Sequence, residues 1–179
     1  MKVNNLTFRY GDNTIFENYT LEIKSPVTCI MGASGRGKTT LLKLVAGLIE
    51  PDDGEVESAP IKPAMMFQED RLLPWVSVLK NVELVCDDHE KAMNLLRELE
   101  IDESLYPHEL SGGMARRVAL ARCLALDSDV LLLDEPFTGL NAQLMVKAAR
   151  LILAQNKPVI VSTHSQQEAA ALQGTIIML

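Results

Sequence analysis

Residues 27–47 read VTCIMGASGRGKTTLLKLVAG, and this stretch decides the fold. Val27 to Met31 is a short, largely apolar run, the pattern of a buried strand. A turn follows at once through Gly32, Ala33, Ser34, Gly35, Arg36 and Gly37. Lys38 to Ala46 then has the composition of a helix, with Gly47 placed to end it. A strand that turns through glycines into a helix can hold phosphate, because the turn lets backbone N–H groups point inward at the oxygens. The spacing fits G-x-x-x-x-G-K-[ST]. It predicts that Lys38 reaches the β and γ phosphates and that the Thr39 hydroxyl completes a Mg2+ shell, with the cradle running from Gly32 to Thr40.

Outward from that stretch, short apolar runs alternate with helical patterns, as in parallel strands joined by crossover helices. Strands are predicted at Ala64–Phe67, Val130–Leu133, Val159–Thr163 and Thr175–Leu179. Helices are predicted at Ser77–Val85, Glu90–Leu99, from Ser111 onward, and at Ala142–Gln155. Ser165 and Glu168 have capping-box spacing for a further helix that Gly174 would close. Residues 70–110 show helices and no strands, which predicts a lobe inserted into an α/β core.

Two further strand ends carry candidate chemistry, since open parallel sheets bind ligands at their carboxyl edge. The Val130–Leu133 run delivers Asp134, suited to hold the magnesium, and Glu135, suited to orient or deprotonate an attacking water. A lone acidic pair would otherwise be a solvated strand cap; the phosphate loop in the same sheet favours the functional reading. His164 follows PVIVST and should emerge on the same edge, where it can hydrogen-bond a γ-phosphate or simply begin a helix. Tyr10, before Gly11, can stack on a base or serve as an ordinary hairpin aromatic.

Composition sets the outer limits. With 179 residues, 47% of them hydrophobic, the chain can bury one sizeable core and is expected to be a single domain. A net charge of -7 counts against a nucleic-acid partner. The three cysteines, Cys29, Cys86 and Cys123, lie in apolar surroundings and are expected to be buried free thiols in a reducing compartment. The N-terminus lacks a signal-peptide run, and no membrane-spanning stretch appears. A cytoplasmic protein, at most peripheral to a membrane, is expected.

The stretch ELSGGMARRVALARCL, residues 109–124, raises a separate question. Ser111, Gly112 and Gly113 open a helix in the manner of a second phosphate cradle, at a cost in backbone entropy. Taken in order, RYG, GASGRGKT, FQED, LSGGM, VLLLDEP and STH closely resemble the nucleotide-binding subunit of ATP-binding cassette (ABC) transporters, over nearly the whole chain. LSGG followed by a strand ending in Asp-Glu is specific to that family. The resemblance implies an α/β fold: a P-loop NTPase core with a mostly parallel sheet, a helical subdomain inserted at about 70–125, and an N-terminal antiparallel β portion. It also implies two subunits pairing head to tail, with ATP between the phosphate loop of one and the LSGG of the other. Ser111 can equally cap its own helix, and both roles are compatible. Gln68 resembles the family's Q-loop residue, touching metal and water. Leu72, Leu73 and Trp75 are either a seat for a permease subunit's cytoplasmic helix or internal packing of the lobe. FQEDRLLPW with LSGGM looks most like importers of nitrate, sulfonate, taurine or thiamine precursors. Permease subunits and, indirectly, a solute-binding protein are implied, with the chain on the inner face of the membrane.

The chain departs from the family pattern in places. Asn141 stands where the D-loop usually has aspartate, keeping an acceptor but losing the charge, and Met114 replaces a commoner glutamine. The sequence stops one strand past the His164 helix, where many relatives continue. Lys38 and Glu135 are intact, so an active ATPase is expected. The alternatives are a soluble ABC ATPase outside transport, or a dimerisation switch gated by nucleotide.

Overall fold

A computed structural model describes residues 1–57 and 62–179. Its centre is a parallel sheet of β3 (Val27–Met31), β5 (Pro63–Met66), β6 (Val130–Asp134), β7 (Val159–Thr163) and β8 (Thr175–Met178), in the order β5-β6-β7-β3-β8. A smaller antiparallel sheet places β1 (Lys2–Tyr10) between β2 (Asn13–Glu22) and β4 (Asp53–Glu57).

The apolar runs are continuous because both faces of the parallel sheet are covered. Successive side chains of one strand point to opposite faces. Cys29, Met31, Leu131, Leu133, Val159 and Val161 therefore join one core with the helices α2 (Val78–Glu83), α3 (His89–Glu98), α4 (Gly112–Ala125), α5 (Ala142–Leu153) and α6 (Gln166–Ala171). Ile30, Val130, Leu132 and Ile160 join a second core with α1 (Lys38–Val45) and the antiparallel sheet, through Leu41, Leu42, Leu6 and Phe8. Register lays Met31 beside Thr163 and Asp134 beside Ser162, which aligns the carboxyl ends of β3, β6 and β7 on one edge.

Several local expectations need correction. The helix expected to reach Gln155 ends at Leu153, with Ala154 as its C-cap. Gly174 does not close α6 by a left-handed turn; Gln173 takes that conformation, with φ 51°. Glycine at 174 has another cause: a Cβ there would lie 2.6 Å from the Cys29 sulfur. The capping box of α6 is only half formed. Ser165 accepts from the Glu168 amide, while the Glu168 carboxylate accepts from the Thr163 hydroxyl instead of turning back to residue 165. β4, with the sequence DGEVE, has no apolar alternation to announce it; only Val56 is half-buried and packs on the second core. Cys29 and Cys123 are buried, and burial pushes their thiols up to about 11 and about 12. Cys86 is only half-buried, so the expectation of uniformly buried thiols fails there. Among the described residues no helix is long and apolar enough to cross a membrane.

Candidate functional site

The phosphate loop leaves β3 and enters α1 through residues that only glycine tolerates well. Gly35 and Gly37 have φ of 80° and 91°, and a Cβ on Gly37 would meet Ile15 at 2.6 Å and Phe16 at 2.9 Å. The turn therefore lies tight against β2, with its amides free of side-chain caps at the start of α1. Lys38 is buried, and its Nζ donates to the carbonyls of Gly32 at 2.9 Å and Ala33 at 3.0 Å. The ammonium is thus parked inside the loop that it would serve.

The adjacent strands bring their own groups to this loop. The Thr39 hydroxyl donates to Asp134 Oδ2 at 2.6 Å. Asp134 is 1% exposed, and its other oxygen accepts from the Ser162 hydroxyl. Glu135 sits just past β6 in the left-handed region with φ 51°. Its amide donates to the Ser162 hydroxyl at 3.0 Å and to the Ser162 carbonyl at 3.2 Å. Its carboxylate accepts from His164 Nε2 at 2.7 Å. A cleft of about 360 Å³ is lined by Ser34, Lys38, Thr39, Gln68, Glu135 and His164 among others.

Thr39 and Asp134 also meet a test for magnesium. A hydroxyl and a carboxylate already in contact are hard oxygen donors of the kind that ion takes. No group of three or more His, Cys, Asp or Glu suited to a metal occurs among the described residues.

Ser111, Gly112 and Gly113 lie elsewhere. The Ser111 hydroxyl accepts from the Met114 amide at 3.3 Å, as an N-cap of α4. Gly112 and Gly113 line a second cleft, also of about 360 Å³, with Gln68, Glu135, Thr138 and Gly139. A Cβ on Gly113 would meet the Gly139 carbonyl at 2.7 Å, whereas one on Gly112 would meet nothing within 4 Å. Asn141 caps α5, its side chain accepting from the Leu144 amide at 2.9 Å. Tyr10 is half-exposed at the end of β1, edge-on to Phe8 with ring centroids 4.9 Å apart; Asn13 and Ile15, rather than Tyr10, line the first cleft.

A third cleft, more apolar, lies between the segment after β5 and helices α2 and α4, lined by Phe67, Arg71, Leu73, Leu84 and Arg122 among others. Leu73 faces it, Leu72 packs on the core, and Trp75 stands 72% exposed, so the apolar trio splits. Fully buried Asn81 pins this loop, accepting from the Leu73 amide at 2.8 Å and donating to the carbonyls of Leu73, Val76 and Ser77.

Sequence reasoning missed Asn81, Ser162 and Arg116. Arg116, 4% exposed inside α4, donates to the carbonyls of Phe67, Gln68, Asp134 and Glu135. A signal was present for it. Arg116, Ala119, Leu120 and Cys123 fall at i, i+3, i+4 and i+7 of a buried stripe, and a cation heading such a stripe must have buried acceptors. Ser162 likewise follows the apolar run Val159–Val161 and is a fully buried polar side chain in β7.

A glycine-built phosphate loop, an acidic strand end and a histidine on one edge of a parallel sheet define a P-loop nucleotide-binding α/β protein. The comparisons narrow this. The family described as ABC transporter matches residues 16–138. An aliphatic sulfonates import ATP-binding protein of Rhodococcus jostii is 41% identical, covering 96% of this chain and 75% of that protein. An intermembrane phospholipid transport system ATP-binding protein of Haemophilus influenzae is 36% identical over 96% of this chain and 77% of its own. A dimeric ATP-binding cassette in a post-hydrolysis state, bound to ADP and Pi, superposes with a TM-score of 0.88 at 30% identity, covering 99% of this chain and 93% of that one. The chain belongs to the ABC transporter family.

Proposed function

We propose that this chain drives a membrane importer of a small solute of the sulfonate type, hydrolysing ATP as a head-to-tail pair. The observation that carries the reading is the convergence of Lys38, the Thr39–Asp134 contact and the Glu135–His164 contact on one cleft. The amides of residues 33–40 hold the phosphates. Lys38 exchanges the carbonyls of Gly32 and Ala33 for β- and γ-phosphate oxygens. Thr39, Asp134 and Gln68 would hold Mg2+, which would supply charge neutralisation on the phosphates. Glu135 orients the attacking water and accepts its proton, while His164 hydrogen-bonds the γ-phosphate. Tyr10 stacks on the base from the hairpin end of β1.

The LSGG segment serves the partner's ATP. Ser111 to Gly113 do not line the phosphate-loop cleft of their own chain, and Gly112 has open space where a side chain would be. Its lack of a side chain then has a use outside the chain, at a helix start with its positive dipole end free for a phosphate. The apolar cleft beside Leu73 and Trp75 seats a cytoplasmic helix of a permease subunit, with a solute-binding protein acting further out and no nucleic acid involved. The chain works as one domain over 1–179, its helical lobe spanning about 70–125, at the inner face of the membrane.

Phosphate release by the wild-type chain and by Lys38→Ala, each with and without magnesium, tests the reading. Magnesium-dependent release that the variant loses is the expected result. Release that survives in Lys38→Ala refutes it.

A further inference from the structure

We propose that Arg116 is a positioning residue for this hydrolysis: from within α4 it holds the Glu135 peptide in its left-handed conformation and ties that peptide to the segment 67–70. The proposal rests on the reading of Glu135 as the general base. Nε and Nη2 of Arg116 donate to the Glu135 carbonyl at 3.1 and 3.0 Å, and Nη2 also reaches the Asp134 carbonyl. Nη1 donates to the carbonyls of Phe67 at 2.7 Å and Gln68 at 3.0 Å and to Asp70 Oδ1 at 3.0 Å. One rigid fork therefore joins the end of β6 to the turn after β5.

The backbone of Glu135 supplies the second observation. A residue with a Cβ at φ 51° persists only where its neighbours over-determine it. Ser162 grips the Glu135 amide and Arg116 grips its carbonyl, so the peptide is fixed on both sides and the carboxylate is delivered to His164. An arginine needed only to balance Asp70 would engage that carboxylate alone; here most of its donors lie on backbone carbonyls where the chain turns. Lysine, a point donor, cannot span both segments. Phe67 and Asp70 also line the apolar cleft beside Leu73, so a displacement of that segment pulls on the Glu135 carbonyl through the fork.

The test compares Arg116→Met, of similar length but without donors, and Arg116→Lys with wild type in the full chain. For each, kcat and KM for magnesium-ATP, affinity for a fluorescent ATP analogue, thermal midpoint and amide exchange are measured. Arg116→Met should lose about 10- to 100-fold in kcat, the scale of a misplaced catalytic group, with KM and affinity within about 3-fold of wild type. Arg116→Lys should recover only part of the loss. Amide exchange should quicken in residues 67–70 and 134–138 and stay unchanged in residues 32–40. Unchanged kcat and exchange overturn the proposal. So does a parallel fall of kcat, affinity and midpoint with exchange rising throughout, which marks a merely structural role. If the wild-type chain releases no phosphate, the reading of Glu135 fails by itself, and the exchange comparison still decides whether Arg116 holds its peptide.

Discussion

The two glycine-lined clefts of this protein differ in how far their own chain completes them. At the phosphate loop three recruited groups already have partners: Lys38 on the loop carbonyls, Thr39 on Asp134, Glu135 on His164. At the LSGG segment the Ser111 hydroxyl is spent on its own helix, Gly113 is explained by the Gly139 carbonyl, and Gly112 faces open space. A cleft whose groups interlock within one chain is prepared to bind and react. A helix start with an unexplained glycine is prepared to be met. Gln68 and Glu135 line both clefts, so what meets the second can be felt in the first.

The largest expected effect breaks the first cleft alone. Glu135→Gln should lower phosphate release by about 10²- to 10⁴-fold, the usual worth of a general base, while ATP affinity stays near wild type. Retained turnover would remove Glu135 from that role. The second cleft is tested in this hydrolysis-poor background. Light scattering should show the mass double with magnesium-ATP, and Ser111→Arg should weaken dimer affinity at least about 10-fold, since its long side chain holds the partner's phosphate away from the helix-start amides, while ATP binding survives. Loss of ATP binding along with the dimer would put Ser111 in its own chain's site.

A smaller effect separates the two signature glycines. Gly113→Ala pushes a methyl against the Gly139 carbonyl and should cost about 1–3 kcal/mol of stability, as overpacking does. Gly112→Ala should leave stability unchanged or raise it by up to about 1 kcal/mol, because alanine is the better helix former. It should nevertheless weaken ATP-dependent pairing. Equal thermal midpoints for the two variants would erase the distinction between an internal and an external role.

The smallest effect lies away from both clefts and serves as their control. His89 Nδ1 lies 2.6 Å from Glu83, and this hydrogen bond raises the imidazole above its ordinary value of 6.5 and lowers the Glu83 carboxyl below 4.5. A raised histidine stabilises the fold fully below 6.5, and the contribution is lost as pH rises through the folded value. The lowered carboxylate contributes above 4.5, and that is lost as pH falls through its folded value. His89→Ala should therefore reduce the thermal midpoint slightly near pH 6 and not near pH 9, with ATP turnover unaffected at either. The pair is exposed, so the shift should be small. A change in turnover would mean that the α2–α3 junction communicates with the site.

Much of this molecule was legible in the chain. The strand–glycine–helix unit around Gly32 to Thr39, the double-faced apolar runs of β3, β6 and β7, and the N-cap serines Ser111 and Ser165 rest on local periodicity and local backbone demands. So do the placements of Asp134, Glu135 and His164, because a parallel sheet sends the ends of its strands to one edge. Contacts between distant segments were not legible. Gly174 looked like a helix stop and is instead room for the Cys29 sulfur; DGEVE has no apolar alternation and is an edge strand because β1 lies beside it. Arg116 was not singled out by sequence reasoning, yet it satisfies carbonyls up to 49 residues away.

The sequence by itself determined the phosphate loop, the acidic strand end and the glycine-opened helix, since each depends on φ, capping or periodicity within a few residues. Only the tertiary structure decided which buried carbonyls lack a sheet partner and which side chain supplies the donor. That depends on where the turns after β5 and β6 come to rest against α4, and no local pattern encodes it.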